Sequence, residues 1–509
     1  MPRLTSLALI AAFAAGAQAQ DPVLRATGGS LGQPLALTLE GQNFGQLGLI
    51  FLSFNPGPTQ LSALDPNDPR SLTVGVDLLG LTLSGPLLSP PIFAPAPFIV
   101  PNNPSLTDVA MYFQGATAPG SFRILDGISA PRAVRFAPAN AMRDRFVSMG
   151  AQRSFFPVIE GNGGRPMILG GGSGALFAQT ARKDTEFFDA IHDTFSFGPD
   201  MTIERSLHTA TRLLDGRWLV VGGVDRLNDP TPTAEIYDPV ANTFTAVASM
   251  ALQRAGHAAA LLPDGRVLVS GGITDMNQTS SSLDPVYSIT TTTEIYNPTT
   301  NNWSAGPALR KPRAGHTAIT RADGRVLLCG GVSWYTFIVR IPSLETTTDL
   351  YTASTGAGSI AAGPTLRQAR AEPALVSIGG GRWLLAGGVG AISLTQQGTP
   401  TAAAEIYDEA ANTFTATGSM AHARTLHQCF DIGGGRYQCV GGGDGTLFAV
   451  TPLATCEIWN SATGTWSAGP NLNTPRVAYG AYVTASGQDH ILGGDTPAGV
   501  SLSTEFYYR

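Results

Sequence analysis

Four histidines stand three residues after an arginine, in Arg205/His208, Arg254/His257, Arg313/His316 and Arg424/His427. An imidazole beside a guanidinium is suited to proton transfer or to anion binding. Recurrence argues against both, because a reaction needs its residues once and these pairs return at one position of a repeat. The arginine itself recurs seven times, as Arg153, Arg205, Arg254, Arg313, Arg370, Arg424 and Arg476. An acid two places before an aromatic recurs with it, as Glu186, Glu235, Glu294, Asp349, Glu405, Glu457 and Glu505. These residues read as one internal ion pair or hydrogen-bond set per repeat, since a buried charge without its partner is costly.

Unrepeated chemistry is confined to two loops. Residues 273–293 carry Asp275, Asn277, Asp284 and Tyr287, and residues 332–348 carry Trp334, Tyr335, Phe337 and Arg340. Aromatic residues with an arginine form the composition of a contact surface. The competing reading is that Trp334 and Phe337 fold back on their own loop or cover the N-terminal region. The cysteines are Cys329, Cys429, Cys439 and Cys456, and sequence alone leaves their pairing open. Cys429 and Cys439 flank Gly433-Gly434-Gly435 symmetrically, which suits a cross-strand bridge, while Cys456 competes for either partner. No Cys-x-x-Cys or His-Cys cluster is present, so neither a metal site nor a cofactor is expected.

The elements that position these residues follow from the period, roughly 50–60 residues, which is that of a propeller blade. After each arginine comes a short apolar strand such as 257–262, then a turn at Asp264-Gly265, Asp215-Gly216 or Asp323-Gly324, expected as a two-residue hairpin turn. A second strand ends in a glycine pair: Gly170-Gly171, Gly222-Gly223, Gly271-Gly272, Gly330-Gly331, Gly387-Gly388, Gly441-Gly442 and Gly493-Gly494. The acid-x-aromatic element marks a third strand. A second aromatic (Phe195, Phe244, Trp303, Phe414, Trp466) marks a fourth.

These features resemble the kelch motif over roughly residues 142–509. The resemblance implies an all-β chain with a seven-bladed kelch-type β-propeller. Two departures are local: unit four lacks the second aromatic, and unit five has Glu372-Pro373 in place of the x-His of Arg-x-x-His. Unit seven stops near Tyr507, so its outer strand is expected from residues 134–149, where Met149 stands in the place held by Met201, Met250 and Met420. The resemblance also brings in galactose oxidase, a copper radical oxidase with kelch repeats. That family implies a Cys cross-linked to a Tyr, a Tyr beside a His, and a further His from a domain after the propeller. No Tyr-His pair occurs here. The segment Ser461–Trp466 is superficially like a sialidase Asp-box but lacks its Asp.

Ahead of the propeller, residues 1–19 join Arg3 to an apolar run and Ala17-Gln18-Ala19, the pattern of a cleaved secretory signal. Residues 20–135 show alternating segments at 34–40, 72–77 and 109–114, read as a small β-sandwich-like domain before the propeller at 136–509. The proline-rich stretch 90–104 suits either a linker or a loop within that domain. A net charge of −6 without any basic run argues against nucleic acid. No membrane segment is expected after signal cleavage. The sequence therefore reads as a secreted, periplasmic or cell-surface binding or scaffold module for a protein or a cell-surface glycan. The rival is an exported carbohydrate-active or oxidase-like enzyme with an unrecognised propeller site.

Overall fold

The computed structural model describes residues 22–508 except positions 29, 42–45, 58, 61–69, 73, 75–82, 89–90, 119–124, 126, 130, 140, 146, 175–177, 190–191, 278–280, 282, 396, 447–448 and 484–487. The signal-like residues 1–19 lie outside this set.

The chain from Ala141 onward forms seven four-stranded antiparallel sheets. Unit three shows the pattern, with Ala258–Leu261, Val267–Ser270, Thr293–Asn297 and Asn302–Ala305 paired in that order. Tyr296 lies opposite Trp303, their ring centroids 5.1 Å apart, so the paired aromatics lock the third strand to the fourth. Unit four keeps its outer strand without the aromatic, setting Ile360 opposite Tyr351.

The turns between the first two strands are not the expected two-residue type. Only the glycine has a positive φ, at Gly216 (87°), Gly265 (84°) and Gly324 (80°). Gly265 donates its N–H to Leu262 O at 2.9 Å, and Leu262 donates to Arg266 O at 2.8 Å. Pro263 and Asp264 thus take the central places of a longer turn, which suits the fixed φ of proline, and the glycine follows in the left-handed region. The Asp264 carboxylate accepts the Arg266 backbone N–H at 3.1 Å instead of adopting a strained φ itself.

Closure uses a strand from ahead of the first arginine. Ala141–Arg145 pairs with Thr504–Tyr508 and sets Asp144 opposite Glu505. The neighbouring strand Arg132–Arg135 pairs instead with Ala110–Ala118, so residues 134–149 are divided between two sheets. That second sheet (Arg132–Arg135, Ala110–Ala118, Leu47–Ser53, Leu83–Pro86) faces another built on Val23–Gly28 and Pro34–Glu40. Leu35, Leu37 and Leu39 of one pack with Ile50, Leu52 and Phe113 of the other in a single core. Ile92–Phe93 and Phe98–Ile99 pair with Pro34–Glu40, so the proline-rich stretch is a loop of this sandwich and not a linker. Of the segment 72–77, Leu72 pairs with Thr59; position 73 and positions 75–77 lie outside the described residues.

One hydrogen bond repeats around the ring. The second glycine of each pair donates its N–H to the carbonyl of the next unit's arginine, from Gly171 to Arg205 (2.8 Å) through to Gly494 and Arg153 (3.0 Å), which closes the circle. The first glycine is equally constrained: at Gly271, with φ +60°, an added Cβ would lie 2.2 Å from Arg313 O. No side chain fits there.

Each of those arginines is fully buried. Arg254 Nη1 donates to Gly271 O at 2.6 Å and Thr292 O at 3.1 Å, and Nη2 to Glu294 Oε1 at 2.9 Å. Glu294 in turn accepts the N–H groups of Ala251 and Leu252 at 2.7 and 3.2 Å. The same pair recurs as Arg153–Glu186, Arg205–Glu235, Arg313–Asp349, Arg370–Glu405, Arg424–Glu457 and Arg476–Glu505, at 2.6 to 3.1 Å. Burial lowers the Arg254 pKa while Glu294 opposes the shift.

The repeated histidines are buried between units. His257 packs on Gly222 of the preceding unit, where an added Cβ would meet its ring carbon at 2.7 Å. Its Nε2 pairs with Thr209 Oγ1 at 2.9 Å, and His316 Nε2 with Ser270 Oγ at 2.8 Å. Burial, reinforced by Arg254, pushes His257 down to about 3. His208, His316 and His427 are pushed well below their ordinary value by the same cause.

Three outcomes follow from this scaffold. Removing residues 20–138 should leave a propeller that still melts cooperatively, whereas removal through 148 should abolish that transition by opening the last sheet; equal melting of the two truncations would exclude strand closure. Arg254→Ala and Glu294→Ala should each cost about 3–5 kcal/mol, with strongly non-additive effects in denaturant unfolding of the double variant. Because the folded chain holds His257 neutral while the unfolded chain protonates near 6.5, its contribution is complete above that pH and is lost as pH falls toward 3. Proton uptake on unfolding at pH 5, measured by calorimetry in two buffers, should therefore drop by about one in His257→Gln.

Candidate functional site

The residue two places after each arginine forms a second ring about the propeller axis. These are Phe155, Leu207, Gly256, Gly315, Glu372, Leu426 and Ala478, all with φ between 49° and 59°. Each of six donates its N–H to the carbonyl of its counterpart in the preceding unit, as in Gly315 to Gly256 (2.9 Å), Glu372 to Gly315 (2.8 Å) and Phe155 to Ala478 (2.9 Å). Next to this ring, the residue after each glycine pair bridges to the residue after each arginine. In units two to five it is Val224, Ile273, Val332 or Val389; in units six, seven and one it is Gly443, Asp495 or Gly172. One half of this end is therefore apolar and the other small and polar.

The unit-three and unit-four loops cover the apolar half. Met276, Leu283, Val286 and Ile289 join Ile273 and Val332 in one buried cluster, with Tyr287 and Trp334 packed against it. A short helix, Asp284–Tyr287, carries part of this cover, with Pro285 in its first turn. Beneath it lies a cavity of about 50 Å3 whose wall is apolar except for Glu372. Burial raises the Glu372 pKa above the usual carboxylate range. On the polar side, burial raises Asp495 to about 6, opposed by a hydrogen bond from Ser154.

The loop residues singled out by sequence divide into three groups. Asp275 and Asp284 serve their own loop: Asp275 Oδ1 accepts the Asn277 N–H at 2.8 Å, and Asp284 Oδ2 accepts the Ser281 N–H at 3.0 Å. Tyr287, Trp334 and Arg340 lock the two loops together. Trp334 Nε1 donates to Ile289 O at 3.3 Å, Arg340 Nη1 donates to Tyr287 O at 3.2 Å, and the guanidinium lies 4.7 Å from the Trp334 ring centre. Tyr335 and Phe337 project from the hairpin formed by Val332–Thr336 and Arg340–Leu344, and are 52% and 78% exposed. They do not converge with the acids. Glu372 was not among the sequence candidates; its signal was the departure of unit five from Arg-x-x-His, which places a charged side chain where two preceding units have glycine.

Cys429 and Cys439 are bridged across directly paired positions, and Cys329 and Cys456 are free and buried. Among the described residues, the group of three His, Cys, Asp or Glu ligand atoms lying within 4.8 Å of one another is His427 with Cys429 and Cys439. The disulfide occupies both of its sulfurs. The two free thiols contact carbonyls two residues before them, Leu327 O and Ala454 O, and the repeated histidines stay within their own unit interfaces. These residues do not fit the copper ligand set of a radical oxidase.

The comparisons with known proteins agree with this architecture. The kelch motif matches residues 208–251. No curated protein matches the sequence. A fungal alcohol oxidase of the AA5 family, solved in complex with copper, superposes with a TM-score of 0.56 over 72% of this chain and 75% of its own, at 17% identity. YjhT superposes with a TM-score of 0.45 over 63% of this chain and 98% of its own, at 13% identity. At 17% identity the likeness to the oxidase shows a shared fold alone. The seven-fold arginine and glycine ring, the kelch motif matched at residues 208–251 and the architecture shared with the oxidase together show a kelch-type β-propeller fold.

Proposed function

We propose that the protein is an exported binding module that holds a protein partner against the unit-four hairpin. The observation that carries this reading is the hairpin tip, where Tyr335, Phe337, Ile338 and Val339 are 52%, 78%, 86% and 55% exposed. Adjacent apolar side chains of this size on a projecting tip are unfavourable in water unless a partner covers them. The tip is also held in place from below, since Trp334 packs on the buried cluster and Arg340 stacks on Trp334. A held contact loses little entropy on association. Aliphatic Ile338 and Val339 suit a protein surface better than a glycan, whose hydroxyls require hydrogen-bonding groups beside the aromatic platform. Export is supported by the basic and apolar start of the sequence, with Ala17-Gln18-Ala19, and by the Cys429–Cys439 bridge, which persists in oxidising compartments. Among the described residues no helix is long and apolar enough to cross a membrane.

The test places a photo-crosslinking amino acid at Phe337 in cells of the native host. One discrete adduct with another protein is expected, and Tyr335→Ser with Ile338→Ser should abolish it while Tm changes little, because the tip contributes to association and not to the core. Adducts only with a second copy of the chain, or a large fall in Tm, would overturn the reading.

A further inference from the structure

Glu372 occupies a position that is unfavourable for it in three ways. Its φ of 49° lies in the left-handed region, where the two preceding units carry Gly256 and Gly315. Its side chain, half-buried, faces an apolar wall that includes Ile273, Met276, Val286 and Val332. Its carboxylate has no hydrogen-bond or ion-pair partner among the described residues, whereas every repeated arginine and acid around the ring has several. Nothing in the repeat calls for an acid here. Gly315 leaves room for it: a Cβ added at Gly315 would lie 2.6 Å from Glu372 Oε1.

We propose that this axial cavity binds a small organic cation, an alkylammonium or arylalkylammonium, whose charge is met by the Glu372 carboxylate and whose hydrocarbon body lies under the unit-three loop. A carboxylate set against an apolar wall attracts an opposite charge more strongly than one in open water, because the wall displaces part of the water that would screen it. An anionic ligand would be repelled, and a neutral one would leave the negative charge uncompensated. The cavity, about 50 Å3, has space for about four waters or a similarly short carbon chain, so the ligand is a small amine and not a peptide. The raised pKa of Glu372 is what an unfilled carboxylate site would show. Asp495, the other burial-shifted carboxyl at this end, has a hydrogen-bond partner in Ser154 and does not line the cavity. The site is separate from the hairpin tip, and either reading can fail without the other.

The experiment is calorimetric titration of the full chain with pentylammonium chloride, pentanol and sodium pentanoate at fixed ionic strength. One pentylammonium should bind per chain, at least tenfold more tightly than pentanol, with no pentanoate binding. Glu372→Gln should weaken pentylammonium at least tenfold and bring it level with pentanol. Glu372→Gly, the residue type of the two preceding units, should do the same while raising Tm or leaving it unchanged. Asp495→Asn should leave binding intact. Absence of pentylammonium binding, equal affinity for amine and alcohol, an unaffected Glu372→Gln variant, or loss of binding in Asp495→Asn would each overturn the proposal.

Discussion

The buried guanidinium is the constraint on which this propeller depends. Within its own sheet Arg254 binds the carbonyl of Gly271 and the carboxylate of Glu294, and its own carbonyl accepts the N–H of Gly223 from the sheet before. One residue thus joins the second strand, the third strand and the neighbouring sheet. A charge with no exposure is tolerable only when it is paired and hydrogen-bonded; here both Nη groups of Arg254 are bonded while Nε is not, and the carboxylate is fixed in turn by two backbone N–H groups. The arrangement requires a glycine on the facing strand, because a side chain at Gly271 would strike Arg313 O. Arginine, acid and glycine pair are therefore one unit of structure, and they recur together.

That coupling is why the fold was legible in the sequence. Residues that must meet in space keep their spacing along the chain, so the arginine and glycine pairs marked the strands, and Tyr296 with Trp303 marked the outer pair. Closure could be read because Met149 repeats the place of Met201 and Met250. The turns were misread for a physical reason: Asp-Gly suits a two-residue turn, but Pro263 and its equivalents lengthen the loop, and only the φ of the glycine then needs to be positive. Periodicity also carried no information about how the 273–293 and 332–348 loops share out their side chains. Trp334 and Phe337 are both aromatic and three residues apart, yet one packs on Ile289 and the other faces solvent. Strand alternation in a hairpin twisted across the axis decides this, and composition does not.

The two rings at the axis differ in what they tolerate. The arginine ring admits no variation across the seven units, since each member carries charge, hydrogen bonds and packing together. The inner ring fixes only the backbone: Phe155, Leu207, Gly256, Glu372 and Ala478 share one conformation and one type of N–H···O link with different side chains. Left-handed φ disfavours all of them except glycine, so the surrounding hydrogen bonds must hold each in place. A scaffold of this kind separates stability from specificity. Its outer shell of buried ion pairs sets the shape, and the side chains on the inner ring are free to differ without disturbing it.

Function in such a molecule is therefore sought where the repeat is broken. The repeated histidines look chemical but are held neutral by burial between units, with a hydroxyl against His257 and His316, and they recur because they pack. Breaks fall at unit five, where Glu372 and Pro373 replace the x-His of the motif, and in the loops of units three and four, which extend over the axis. These breaks adjoin one another: Met276 and Val286 from the long loop and Glu372 from the altered ring line the same cavity. Other inner-ring positions vary among apolar residues and glycine, but the acid of unit five lies beneath the added cover, which brings the two features to one place. The hairpin whose tip carries the exposed Tyr335, Phe337, Ile338 and Val339 is pinned through Trp334 to the same cluster.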